Sequence, residues 1–165
     1  DVPSFYRDEV VVDARGDELA AELDADTSTT TSTAPPPPDP SSTTSSSTTT
    51  TAPPAPRQLL TGALQTINYT VHSGNGVIVE QPDGSRVVLL QDLNVDPGPD
   101  YVVYLVPGTD QRSPERGLEL GPLPGNIGNP TFDIPVDLPV VGEQTILIWC
   151  RRFASPVANA WGTVA

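Results

Sequence analysis

Short apolar runs, broken by glycine, proline and aspartate, fill the chain from Arg57 to Ala165. They lack the three-to-four-residue period of a helix face and are short, β-branched or alternating, which is the signature of strands. Residues 62–67 and 69–72 are short β-prone pieces. Residues 76–81 and 86–93 flank Gln81-Pro82-Asp83-Gly84-Ser85, a turn in which proline presets φ and glycine accepts the left-handed conformation. Residues 101–106 form a dense apolar run between Pro99-Asp100 and Pro107-Gly108. Two more strands are expected at 131–134 and 144–152, and a closing one at 161–164. Residues 118–130 are rich in glycine and proline and read as loop or edge. The spacing predicts an all-β domain over 57–165, an antiparallel β-sandwich or partly closed barrel.

Upstream the pattern changes twice. In residues 1–26, Val10, Val11 and Val12 make a small apolar cluster, and Leu19 and Leu23 stand four apart among good helix formers. One or two helical turns are expected there, too short to be stable alone, so the segment reads as acidic and weakly structured. Residues 27–56 contain no large apolar side chain: 26 of these 30 positions are Ser, Thr or Pro. Such a tract cannot offset the entropy of ordering itself and predicts a disordered stalk. Extended along its prolines it spans up to roughly 90 Å. The composition fits a spacer and equally an O-glycosylated stalk.

Charge narrows the partners. The net charge is −13, of which nine acids against Arg7 and Arg15 put −7 in residues 1–26. Phosphate backbones would be repelled, so nucleic acid is not an expected partner. The chain has neither lysine nor methionine and begins at Asp1. With no apolar run near the roughly 20 residues that cross a bilayer, membrane association is expected only through a segment upstream of Asp1. An extracytoplasmic location, membrane-anchored or secreted, follows from the stalk as an expectation.

The candidate chemistry is sparse. There is one cysteine, Cys150, and one histidine, His72. Alternation along 145–153 puts Ile146, Ile148, Cys150 and Arg152 on one face and Leu147, Trp149, Arg151 and Phe153 on the other. Two readings of Cys150 stand side by side. It is a small core residue, or a partly exposed thiol whose thiolate Arg152 favours. A lone cysteine excludes an internal disulfide, a cysteine-bound iron–sulfur cluster and a C-x-x-C-H haem attachment; a lone histidine excludes a blue-copper set. No metal site is expected. A bare thiol remains, or a group such as haem held by Cys150 with His72 as second ligand. His72 opens His72-Ser73-Gly74-Asn75-Gly76 and reads first as a polar strand end leading into a glycine turn. No nucleophile–base set supports hydrolysis, so the chain reads as an accessory domain rather than an enzyme. Asn68-Tyr69-Thr70 matches a glycosylation sequon.

Taken in order, several strings make a set. They are His72-Ser73-Gly74-Asn75-Gly76, the hairpin through Asp83-Gly84-Ser85, and Gly98-Pro99-Asp100-Tyr101-Val102-Val103-Tyr104-Leu105. The stretch from Leu120-Gly121-Pro122 to Gly128-Asn129, then Phe132-Asp133-Ile134-Pro135 and Ile148-Trp149-Cys150-Arg151-Arg152-Phe153, completes it. From about Leu60 to Val164 the chain resembles the DM-thirteen (electron-transfer DM) domain family, found in Skeletor-type and bacterial surface proteins. The resemblance implies a β-rich extracytoplasmic module of electron transfer or oxidative modification, with Cys150 as redox thiol or cofactor ligand, and other cell-surface or redox proteins as partners. Phe132 stands where the family pattern leads one to expect tyrosine. The alternative is a non-enzymatic surface binding or adhesion module in which Cys150 is structural, with Tyr101, Tyr104 or Trp161 marking the contact patch.

Overall fold

The structure, a computed structural model, describes residues 8–26 and 54–165. The Ser/Thr/Pro tract therefore lies outside the described residues except for 54–56. Among the described residues, ten strands follow one helix, α1 (Ala14–Asp26). They are β1 (Arg57–Ala63), β2 (Gln65–Thr66), β3 (Val71–Glu80), β4 (Arg86–Val95), β5 (Tyr101–Pro107), β6 (Leu118–Pro122), β7 (Ile127–Gly128), β8 (Thr131–Ile134), β9 (Glu143–Cys150) and β10 (Ser155–Thr163). One sheet runs β1-β3-β4-β7 with β8 also on β4, and the other runs β2-β10-β9-β5-β6. Every strand pair is antiparallel. The expected sandwich is what forms, as two sheets and not a closed barrel.

The alternation read from sequence assigns the faces. Ile78 on β3, Val88 and Leu90 on β4, Tyr101, Val103 and Leu105 on β5, and Ile146 and Ile148 on β9 meet in one core between the sheets. The opposite faces of β3 and β4 carry Val77, Val79, Val87 and Leu89, which are also buried, because α1 lies over them through Leu19, Ala20 and Leu23. This explains why 86–93 reads as a nearly unbroken apolar run: both of its faces are covered. The helix is longer than the one or two turns expected. It is stabilised by the sheet beneath it, a tertiary contribution that local propensity does not contain.

Two strands lie where a loop was expected. β6 and β7 form in 118–130 on the sheet edges, where proline and glycine cost no ladder bond in the middle of a sheet. β10 starts six residues earlier than the apolar pattern suggests, at Ser155 rather than Trp161. Pro156 obscures that start, and it sits beside a register shift between Pro156 and Ala158, a bulge that accommodates a residue without an N–H. The outer face of the second sheet is closed by the β5–β6 loop. Thr145 Oγ1 donates to Gly108 O, Gln111 N donates to Thr145 Oγ1, and Asn159 Nδ2 donates to Gln111 O. No helix among the described residues is long and apolar enough to cross a membrane.

Candidate functional site

Cys150 ends β9, paired on one side with Tyr101 of β5 and on the other with Ser155 of β10. On the face that alternation gave it with Ile146 and Ile148, it lies in the inter-sheet core, and its exposure is 0%. Its Sγ donates to the carbonyl of Pro99 at 3.2 Å. The expected neighbourhood with Arg152 is different. The strand stops at Cys150, residues 151–154 turn, and the period of two no longer applies, so Arg152 lies in an exposed turn. The turn is closed by Ala154 in the left-handed region at φ 46°.

Two tyrosines complete the surroundings of the thiol. Tyr69, half-buried in the connection between β2 and β3, places its hydroxyl in hydrogen-bonding contact with the Cys150 thiol. Burial, and then the neighbouring sulfur, hold its phenol above the usual tyrosine range. Its ring meets that of Tyr101 edge-on, with centroids 5.5 Å apart and planes at 73°. Tyr101 is fully buried, so it cannot mark an exposed contact patch, whereas Tyr104 and Trp161 are half-buried. The Tyr101 phenol is pushed well above its ordinary value by burial first, then by Tyr69, Cys150 and Asp96.

The loop Asp96-Pro97-Gly98-Pro99-Asp100 holds both groups. Asp96 O accepts the Tyr101 hydroxyl at 3.0 Å, while Pro99 O accepts the thiol. The phenol lies so close to Gly98 that a Cβ there would stand 2.2 Å from its oxygen. At the far end of the loop Asp100 adopts φ 56°, and its carbonyl accepts the Arg151 N–H at 3.1 Å. Arg151 itself pairs with Glu119 at 2.6 Å across the exposed rim.

His72, on β3 in the other sheet, is about half exposed and bonds through Nε2 to Asp96 Oδ1 at 2.8 Å. That bond is the main cause holding the Asp96 carboxyl below its usual range. Cys150 and His72 are thus linked in series through Tyr101 and Asp96, one end in the core and the other in solvent. A haem held between them does not fit this arrangement. The sulfur is enclosed by Tyr69 and the Pro99 carbonyl, and the imidazole is engaged at the surface. Among the described residues no group of three or more His, Cys, Asp or Glu is placed to hold a metal ion.

Tyr69 is the site residue that sequence reading missed. It drew notice only as the start of a β-prone piece and within the sequon, where Asn68 Nδ2 in fact donates to Pro156 O at 2.8 Å. Tyr101, expected as part of an exposed contact patch, lies instead on the inward face that it shares with Val103 and Leu105.

The fold and this cluster define an antiparallel β-sandwich that encloses a single thiol between two tyrosines. The family model Electron transfer DM13 matches residues 63–160, more than half of the chain, and the chain belongs to that family. No curated protein matches the chain. No solved structure matches it either.

Proposed function

We propose that the chain is an extracytoplasmic, surface-tethered electron-transfer domain whose redox group is Cys150, serving other surface or redox proteins and having no catalytic activity of its own. Membership of the electron-transfer family supports the class of function. The observation that carries the assignment to Cys150 is its contact with Tyr69, which joins a fully buried sulfur to a half-exposed phenol. Thiol–disulfide exchange needs direct attack on sulfur and is closed to a thiol at 0% exposure. Outer-sphere electron transfer needs only close contact along the path. In the proposed step Cys150 gives one electron to a one-electron oxidant on a partner protein. The S–H, which rests on the Pro99 carbonyl, turns to the Tyr69 hydroxyl oxygen as the electron leaves; that oxygen takes the proton and releases its own to water, the product is the thiyl state, and reduction returns both particles. The Ser/Thr/Pro tract and the anionic surface support an exterior location and argue against nucleic acid as partner.

One observation favours the other reading. Complete burial with a satisfied S–H is also what a purely structural cysteine shows, and then the domain is a non-enzymatic surface binding or adhesion module. Anaerobic titration of the full chain with hexachloroiridate separates the two. The redox reading expects uptake of one oxidising equivalent per chain that disappears in Cys150→Ser. Equal uptake by both proteins, or none by either, would leave the binding module as the better account.

A further inference from the structure

Gln144 leaves β9 from the same face as Ile146, Ile148 and Cys150, at the opposite end of the strand from the thiol. There the space between the sheets is not filled, and a cleft of about 210 Å³ remains. Leu105 and Pro107 of β5 and Leu118 of β6 form one wall, and Leu138 and Pro139 of the β8–β9 connection form the other. Its polar lining is Gln144 and Arg116, the latter in the turn that leads into β6, and no described acid lines it.

Both polar groups have capacity to spare. Gln144 is 5% exposed and donates Nε2 to Val141 O at 2.9 Å, while its Oε1 accepts no hydrogen bond among the described residues. An amide half used at this depth is completed by water or by a donor that enters the cleft. Arg116 makes no ion pair among the described residues.

The walls are fixed without a ligand. Arg86 Nη2 donates to Leu138 O at 2.8 Å, Leu138 N donates to Pro135 O at 3.0 Å, and Val140 is buried in the core. Across the cleft, Gly108 N donates to Glu143 O at 2.8 Å. Gly117 lies so close to β5 that a Cβ there would stand 2.6 Å from Val106 Cγ2. A ligand therefore need not order the site. β5 lies between β6 and β9, so two strand spacings, roughly 10 Å, separate the backbones that bring the guanidinium and the amide. One six-membered ring with a polar group at each end suits that span, and the volume is below the roughly 300 Å³ at which drug-sized sites begin.

We propose that this cleft binds a small aromatic carboxylic acid that carries a hydrogen-bond donor across the ring from its carboxylate. Arg116 takes the carboxylate with two N–H donors, the ring lies between the leucines and Pro139, and the ring's own donor gives its hydrogen to Gln144 Oε1. The guanidinium selects an acid over a neutral molecule, and the amide oxygen selects a ring with a donor over a plain one. Six residues of β9, roughly 20 Å, separate Gln144 from Cys150, so the site stands apart from the redox reading of the thiol.

Titration of the full chain with para-hydroxybenzoate at neutral pH, followed by amide NMR, tests the site. Shifts are expected to concentrate at Gly117, Leu118, Leu138 and Gln144, with a dissociation constant on the order of 1 mM, as a ligand of this size allows. Benzoate, which lacks the donor, should bind about three- to tenfold more weakly. Arg116→Gln, a change at an exposed side chain, should weaken the hydroxy acid about tenfold and leave the affinity for uncharged para-hydroxybenzyl alcohol as it is. Absence of shifts up to about 20 mM acid overturns the proposal. So do shifts centred away from the cleft, or equal affinity of the parent and Arg116→Gln for the acid.

Discussion

The half-buried phenol of Tyr69, in the connection between β2 and β3, touches the fully buried thiol of Cys150 at the end of β9. The two residues stand 81 positions apart and share no motif; the β2–β3 connection, crossing over the end of β9, brings them together. The contact gives the thiol a polar route to the surface that its own burial denies it.

Replacing the sulfur tests both its packing and its chemistry. Cys150→Ser keeps a donor for the Pro99 carbonyl but puts a hydroxyl among apolar neighbours, and is expected to lower stability by about 1–3 kcal/mol. Urea unfolding midpoints, followed by tryptophan fluorescence, measure the loss. In the native parent protein, aromatic disulfide reagents should react with Cys150 only as fast as the fold opens, and orders of magnitude faster in denaturant. Rapid labelling of the native protein would show that the thiol has a direct solvent path.

Gly98 is the tightest point of the loop that holds the site. In Gly98→Ala the new methyl must displace the Tyr101 phenol, and with it the bond to Asp96 O, at a cost of about 1–3 kcal/mol. Because Tyr101 pairs directly with Cys150, the variant should also change the one-electron oxidation of the chain. A stability equal to that of the parent would mean that the loop gives way without strain.

Alkaline pH should weaken the fold through the tyrosines. Burial raises the folded values of Tyr69 and Tyr101 above the ordinary 10.0, so above that pH the unfolded chain releases protons that the folded chain retains. The unfolded state then binds fewer protons and stability falls as pH rises. Below about pH 10 this contribution is fully present. Unfolding midpoints at pH 9 and 11 should therefore differ, and Tyr101→Phe should reduce the difference.

His72 lies at the solvent end of the series, so His72→Gln is expected to stay within about 0.5 kcal/mol of the parent and to leave the oxidation of Cys150 unchanged. The same variant, expressed with haem available, should have the spectrum of the parent. An absorption band that depends on both Cys150 and His72 would restore a shared ligand set.

The pattern of short apolar runs and turn residues determined the sandwich, the face that Cys150 shares with Ile146 and Ile148, and the position of the β3–β4 turn, because each depends on period and local backbone preference. It could not place α1. Leu19 and Leu23 mark only a few turns, and the helix persists because Val77, Val79, Val87 and Leu89 offer it a second apolar surface. Nor could it find the start of β10, where Pro156 interrupts the pattern at a bulge. The environment of Cys150 was decided by tertiary structure alone. Alternation ends with β9, so Arg152 turns away into an exposed loop, and a tyrosine from a distant connection takes the place beside the sulfur. Period-two reasoning fixes which face a side chain leaves from, and chain crossing fixes what it meets there.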